Sequence, residues 1–408
     1  MYVIKALIAK DPFLAFVDQV ISSGTNFCLT LLLAQKLDIK SFGLYSSIVL
    51  LLYLAVSVTN ALVIQPFQVM VVKVEKRKQY ITTLFLGTIL LLFISSVLII
   101  IVFQIFIKAS VFRLNPVEMI CFITGFLIND FFRKLFLGLS RIKEVLIMDI
   151  LFLILVILVF TLYKICLSQV LLIIGLCNWI ATLPGFLFMI KNYEKPILWS
   201  MFAKEHLKEG KWLLSVAVLQ WSSSNFFILV AGVYLGIEAL GALRLVQSFF
   251  GIINIGLQTI ENYFLPKIAL LYHQNKETAK EYLFRLSSLG ALVFGVLTCV
   301  LFIFSNQTIV LVGGVKYQHY GYVIKMVAVL YFFIFLGYPV RILVRILMLN
   351  KIFFMGYLLS FLTSLASFHF LLKYSGLCGA VTGLMINQII MILYWRYQLY
   401  KKQFQLWK

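Results

Sequence analysis

Apolar runs long enough to cross a bilayer recur twelve times along this chain, near 13–35, 42–72, 80–107, 117–139, 145–165, 168–190, 212–235, 240–271, 282–304, 322–349, 352–372 and 376–398. About 20 apolar residues at ~1.5 Å rise span the ~30 Å hydrocarbon core, where every backbone N–H and C=O must be answered inside a helix or a closed barrel. Barrel strands would run for about ten residues with alternating polarity. These runs are longer and continuous, so the pattern predicts an all-α, polytopic membrane protein. Composition agrees: 62% of the 408 residues are apolar and 12% charged, against about 45–50% and 25% in soluble domains.

The net charge of +20 raises the question of nucleic acid, and its distribution answers it. With the amino terminus placed in the cytoplasm, 26 of the 35 Lys and Arg fall in cytoplasmic connections or at helix ends facing them. That asymmetry orients membrane proteins, and it puts both termini in the cytoplasm. Basic loops then meet anionic headgroups, so membrane lipids are expected partners and nucleic acid is not. The opening MYVIKALIAKDPFLAF has two lysines and no small-residue cleavage site, and reads as an amphipathic lead-in to the first span. Cys28, Cys121, Cys166, Cys177, Cys299 and Cys378 lie singly, with neither a disulfide framework nor metal-ligand spacing, and no metal or cofactor is expected.

The chain is written twice. Gln19 pairs with Gln220, Asn26 with Asn225, Gly43 with Gly241 and Pro66 with Pro266, at offsets of 201, 199, 198 and 200, close to half of 408. Arg133 pairs with Arg341 and Lys143 with Lys351, both at 208. Six spans per copy give the copies one orientation, related by an axis along the membrane normal, with a substrate site expected near the midplane where they meet. The expected division is a lobe at 1–191, a cytoplasmic linker at 192–211 containing Pro196, and a lobe at 212–408, forming a V around a central cavity.

One span carries a file of polar residues: Arg244, Gln247, Gly251, Asn254, Gln258 and Glu261, at steps of 3, 4, 3, 4 and 3. On a helix they share a face about 25 Å long. A charge at the bilayer centre costs ~2.5–3.5 kcal/mol even on gentle scales, so this face must look into protein or water. It reads as the wall of a transport pathway. Asp18, Ser22 and Asn26 recur at every fourth residue of the first span beside Gln19, and Gln220, Ser223 and Ser224 occupy the seventh. These either line the same cavity or join helices by hydrogen bonds, the serines being better suited to the second role. Arg341 and Arg345, one turn apart after Pro339, repel each other unless an anion answers them or they snorkel to headgroups. Arg133 and Lys134 have Asp130 nearby for an intrahelical pair. Glu261 either carries a coupling proton or pairs with Lys267.

Enzyme signatures are missing: there is no GxGxxG, no Walker-type loop and no HExxH. His206, His273, His319 and His369 are scattered, the first two in expected cytoplasmic loops where they would be solvated. A membrane glycosyltransferase or polymerase generally needs a large extracytoplasmic loop with catalytic side chains. The longest such loop here, 305–321, has no Asp or Glu and carries a turn signal at Gly313 and Gly314.

DQVISSGTNFCLTLLLAQKLDIKSFGLYSS, with Phe42, Gly43, Leu44 and Tyr45 as its turn, resembles the first helix pair of bacterial polysaccharide-biosynthesis O-unit flippases, of the multidrug/oligosaccharidyl-lipid/polysaccharide exporter superfamily. The segment LGALRLVQSFFGIINIGLQTIENYFLPKIA is similar to the second-lobe counterpart, with Gly241, Arg244, Gln247, Leu265, Pro266 and Lys267 in place. The resemblance implies that an undecaprenyl-diphosphate-linked oligosaccharide, an O-antigen, capsule or exopolysaccharide unit, is flipped from the cytoplasmic to the outer leaflet of the bacterial inner membrane by alternating access. It implies Arg244 as a cavity cation for diphosphate or acidic sugars, with Arg341 and Arg133 as further basic positions, and a polysaccharide polymerase and chain-length regulator as partners. Gln19, Asn26, Gln220, Gln247, Asn254 and Gln258 would meet sugar hydroxyls, and Asp18 and Glu261 would couple an ion. A proton or sodium gradient is left open, and no cofactor is expected. The chain lacks the two extra helices of the lipid II flippase branch, which argues against a peptidoglycan precursor as cargo. The alternatives are a multidrug or organic-cation antiporter of the same superfamily, which calls for an acidic cavity, and a membrane-embedded glycosyltransferase or polymerase.

Overall fold

The computed structural model describes residues 2–71, 74–106, 115–162, 167–196, 199–347 and 349–401, which form helices and short connections with no strand among them. In chain order the helices are α1 (Tyr2–Lys36), α2 (Ile39–Thr59), α3 (Gln65–Met70), α4 (Arg77–Phe106), α5 (Pro116–Gly138), α6 (Ile142–Leu162), α7 (Leu167–Ala181) and α8 (Leu183–Asn192). They continue as α9 (Trp199–Leu235), α10 (Ile237–Gln274), α11 (Lys276–Ile303), α12 (Ser305–Gly313), α13 (Gly321–Ile346) and α14 (Asn350–Lys401). Over the described residues each of the twelve apolar runs is helical. The run near 42–72 is α2, a π-helical turn at Asn60–Ile64 and α3, and the run near 168–190 is the pair α7 and α8. The last two runs are the arms of α14, broken at Gly376 with φ 54° and ψ −132°. Among the described residues, seven helices are long and apolar enough to cross a bilayer by length and composition, and α7 with α8, bent by 41°, makes an eighth span. The chain is a multi-pass membrane protein.

Helix ends are built by local chemistry. Asp38 caps α2, its carboxylate accepting from the Ser41 N–H at 3.1 Å. Partial burial pushes this carboxyl upward, but the hydrogen bonds from Ser41 outweigh it and hold the group below its ordinary range. Asn115 caps α5, with Pro116 as the first helical residue. Asn275 alone joins α10 to α11 and accepts from the Glu277 N–H at 2.9 Å.

Two compact units emerge: Met1–Leu37 with Tyr45–Val218, and Asp38–Leu44 with Leu219–Lys408. The division falls inside α9, and of the connection expected at 192–211 the part from Trp199 onward is helical. In the first unit α5 packs against α4 and α7, and α6 against α1 and α7. Gly125 and Gly175 bring α5 and α7 together, since a Cβ on Gly125 would lie 2.5 Å from the Gly175 carbonyl oxygen. In the second unit α13 is central, packed against α10, α11 and both ends of its own connections, α12 and α14. There Gly43 and Gly241, partners in the duplication, touch: a Cβ on Gly241 would lie 2.9 Å from the Gly43 Cα.

Three expectations are corrected. His206 is not solvated in a loop: it sits in α9, 4% exposed, with Nε2 2.8 Å from the Tyr80 hydroxyl and Nδ1 3.1 Å from the Leu62 carbonyl. The π-helical turn frees that carbonyl from the regular ladder, and the imidazole answers it. His273 is also helical, within α10, and its side chain lies outside the described ones. The expected loop at 305–321 is α12 followed by a 3₁₀ turn, Val315–Tyr320, although Gly314 does terminate α12 with φ 85°. Five of the six cysteines are free and Cys166 lies outside the described residues.

Candidate functional site

The second unit holds a cavity of about 330 Å³ that gathers residues from four helices. α9 contributes Gln220, α10 contributes Arg244, Gln247 and Asn254, and α13 contributes Arg341. α14 adds Asn387 and the rings of Tyr357 and Trp395. A helical period therefore aims the first half of the polar file, residues 244 to 254, at one space. The backbone of Gln258 and Glu261 continues α10, but their side chains lie outside the described ones, as do the side chain of Pro266 and those of the amino-terminal lead-in through Phe13.

Among the described residues the charges in this cavity are of one sign: Arg244 and Arg341 line it, and no Asp or Glu does. The Arg341 Nε is buried without a hydrogen-bond partner, and its guanidinium lies over the Tyr338 ring at 5.6 Å from the centroid. Arg345, one turn on, is exposed instead. Arg244 donates to Gln247 Oε1 at 3.4 Å. The neutral polar groups are held in place: Asn254 donates to the Tyr331 hydroxyl at 2.8 Å, and Gln220 to the Tyr357 hydroxyl at 3.4 Å. Ser223 and Ser360 share a 2.8 Å bond, and Asn387 accepts from Ser364 at 2.9 Å, so the serines here join helices. Trp395 is fixed by donating to the Ile352 carbonyl at 3.1 Å and by stacking on Phe353 at 5.3 Å. A rigid wall of amides, hydroxyls and aromatic faces with two cations suits a polar anionic ligand.

The first unit carries a different arrangement. Arg133 of α5 donates from Nη2 to Asp18 Oδ2 of α1 at 2.6 Å, and from Nε to Asp149 Oδ2 of α6 at 3.1 Å. The side chains of Asp18 and Asp149 are 3% and 7% exposed. Asp130 pairs with Lys134 at 2.6 Å, and Lys134 also reaches Asn60 Oδ1 at 2.8 Å. Arg133 is thus occupied by two acids from other helices. Those acids outnumber it by one, and Asp18 Oδ1 is buried with no hydrogen-bond partner. Gln19 and Asn26 are exposed on α1, bonded to Ser23 and to the Ser22 carbonyl. No group of three metal-ligating side chains occurs among the described residues.

Tyr331, Tyr338, Tyr357, Trp395 and Asn387 did not emerge from the sequence as site residues. A signal for two of them exists. At the offset of 208 that pairs Arg133 with Arg341, Asp130 corresponds to Tyr338 and Asp149 to Tyr357. The second copy keeps the arginine and replaces both of these acids by tyrosines.

No protein-family model matches the chain, and no curated protein matches it by sequence. Solved structures do match along nearly its whole length. One is an inward-facing multidrug-resistance MATE family transporter of the MOP superfamily, at TM-score 0.74 and 11% identity over 94% of this chain and 95% of that one. Another is the lipid II flippase MurJ in an inward closed conformation, at TM-score 0.71 and 12% identity over 96% and 87%. The chain has the MOP-superfamily transporter fold. A further MOP-superfamily transporter, from Pyrococcus furiosus, matches at TM-score 0.55 and 13% identity over 98% and 94%, and the reverse polarity of its binding pocket suggests a different function for it.

Proposed function

We propose that this MOP-fold protein flips a lipid-linked oligosaccharide, carried on undecaprenyl diphosphate, from the cytoplasmic to the outer leaflet of the bacterial inner membrane. The observation that carries the reading is the second-unit cavity, lined among the described residues by Arg244 and Arg341 and by no carboxylate. Taking a diphosphate or an acidic sugar out of water is costly, and guanidinium groups held ready offset that cost with charge-assisted hydrogen bonds. Gln220, Gln247, Asn254 and, further along the file, Gln258 supply donors and acceptors for sugar hydroxyls, and the aromatic faces of Tyr357 and Trp395 offer apolar sugar faces a surface. An organic cation would meet two arginines there and, among the described residues, no counter-charge, which disfavours the antiporter reading.

Transport proceeds by alternating access of two repeated lobes, 1–191 and 212–408, with the prenyl tail remaining in lipid. A coupling cation, proton or sodium, binds in the first unit, where the negative charge left over between Asp18, Asp149 and Arg133 and the unpartnered Asp18 oxygen provide a place for it; Glu261 is the second candidate. Arg133, Gln19 and Asn26 would touch cargo only if Arg133 exchanges its acids for phosphate during the cycle. A polymerase and a chain-length regulator take the product on the outer side. The test is reconstitution in vesicles with undecaprenyl-diphosphate-linked oligosaccharide. Arg341→Ala and Arg244→Ala should each abolish appearance of the glycolipid in the opposite leaflet while the protein stays in the membrane. Undiminished translocation in both variants overturns the reading.

A further inference from the structure

The two guanidinium groups of the second-unit cavity stand far apart along its length. α10 and α13 run side by side in one direction: a Cβ on Gly313, before α13, would lie 2.7 Å from Leu245 Cδ2, the Phe250 and Tyr331 rings meet at 4.8 Å between centroids, and Leu257 shares a core cluster with Phe335 and Tyr338. The 2.8 Å bond from Asn254 to the Tyr331 hydroxyl fixes their register. Arg244 lies ten residues before Asn254 on α10, and Arg341 ten residues after Tyr331 on α13. Their side chains turn toward each other, Arg244 to Gln247 at 3.4 Å and Arg341 over the Tyr338 ring. Even so, Gln247 is seven residues from Asn254 and Tyr338 seven residues from Tyr331, which leaves the guanidinium groups about 20 Å apart at the helical rise.

One diphosphate cannot answer both. Its phosphorus atoms share a bridging oxygen, so its charge is compact, and a guanidinium pairs with an anion only at hydrogen-bond distance. Between the two cations the wall is neutral and offers donors and acceptors: Asn254 with Tyr331, Gln220 with Tyr357 at 3.4 Å, and the amides of Asn387 and Gln388. Arg244 is the first residue of α10 on this wall and Arg341 the last of α13, and among the described residues no carboxylate lines the length between them. A ligand that fills the space therefore covers a cation at each end, and a cation cut off from water without an anion is costly. The complement is a molecule with two anionic groups joined by a neutral, hydroxyl-rich spacer. The two ends differ. Arg345 follows Arg341 by one turn and is exposed, so positive charge is densest there, where the several charges of a diphosphate belong. Arg244 has the amide of Gln247 beside it and suits a single anionic group.

We infer that this cavity recognises its cargo at two points: Arg341 holds the diphosphate, and Arg244 holds a second anionic group, a carboxylate or phosphate on a sugar several units along the oligosaccharide. The cargo is then an acidic oligosaccharide, and Arg244 selects it over a neutral one. This rests on the proposed flippase reading and names the class of cargo within it. The competing arrangement is a single diphosphate that visits the two arginines in turn, and it has no need of an acidic sugar.

The test uses the full chain in vesicles with undecaprenyl-diphosphate-linked tetrasaccharides that differ only in the terminal sugar, which is glucuronic acid, glucose 6-phosphate or glucose. At limiting concentration an acidic form should be translocated about 10–100-fold faster than the neutral one, the worth of one charged hydrogen bond. Arg244→Gln should bring all three to parity, and so should Gln247→Glu, which answers Arg244 from within the protein. Arg341→Gln should slow all three alike. Equal translocation of acidic and neutral forms by the wild-type protein overturns the inference, and with Arg244→Gln slowing every form alike it marks the diphosphate that visits both arginines. A preference for acid that survives in both Arg244→Gln and Gln247→Glu, or an Arg341→Gln variant that slows the acidic forms alone, overturns it too. The same sugars as water-soluble oligosaccharyl diphosphates, without the prenyl chain, are titrated against the full chain in nanodiscs and should bind in the same order. The two readings thus fail separately. Vesicles in which no lipid-linked sugar moves sink the transport proposal while the titration still decides the two-point recognition, and translocation with no preference for acid sinks only the latter.

Discussion

Arg133 and Arg341 occupy matching places in the duplicated chain, yet the two units treat them in opposite ways. In the first unit two buried carboxylates, Asp18 and Asp149, close on Arg133. In the second, tyrosines stand where Asp130 and Asp149 stand in the first, Leu219 and Gln220 stand where Asp18 and Gln19 do, and the Arg341 Nε is buried with no partner. A buried guanidinium costs several kcal/mol of desolvation unless something answers it. The first unit answers its arginine internally, at the cost of an excess negative charge. The second leaves the Arg341 Nε without a partner among the described residues.

The contrast can be broken by giving the second unit back an acid. Tyr338→Asp places a carboxylate one turn from Arg341 and should reduce glycolipid translocation ~10–100-fold, the worth of a charged hydrogen bond; Tyr338→Asn, measured in the same vesicles, separates loss of the ring from gain of the charge. If Tyr338→Asp transports no worse than Tyr338→Asn, the positive sign of the cavity is irrelevant. Next in size, Arg133→Ala strands two buried carboxylates and should lower stability by ~3–5 kcal/mol in a thermal melt, whereas Arg133→Met combined with Asp18→Asn and Asp149→Asn should recover most of it. Arg341→Ala, with no acid left behind, should melt close to wild type. The smallest effect sharpens the distinction between joining and lining groups: Ser360→Ala removes the bond to Ser223 and should cost ~0.6 kcal/mol with translocation retained.

Why the cavity was partly legible is clear from α10. Residues 244, 247 and 254 recur at helical steps inside an apolar segment, and geometry alone puts them on one face. The rest was hidden for equally physical reasons. Tyr331, Tyr357 and Trp395 are ordinary constituents of apolar helices, and only packing shows which ring faces a space and which faces a neighbour. The bend at Thr182 and the imidazole of His206 were missed because both satisfy backbone or side-chain groups that have no fixed spacing along the chain. Asp130 was the nearest acid to Arg133 in sequence, but Asp18 and Asp149, 115 and 16 residues away, are the ones that bind it.

Hydrophobic length, charge asymmetry and internal repetition were sufficient to determine that this is a multi-pass, all-helical chain in two copies, because bilayer thickness and backbone hydrogen bonding permit few other outcomes. Which arginine is paired with acids and which keeps a buried nitrogen without a partner was decided only by the tertiary structure. Ion pairs depend on distances between helices, and no fixed spacing along the chain reads those distances out.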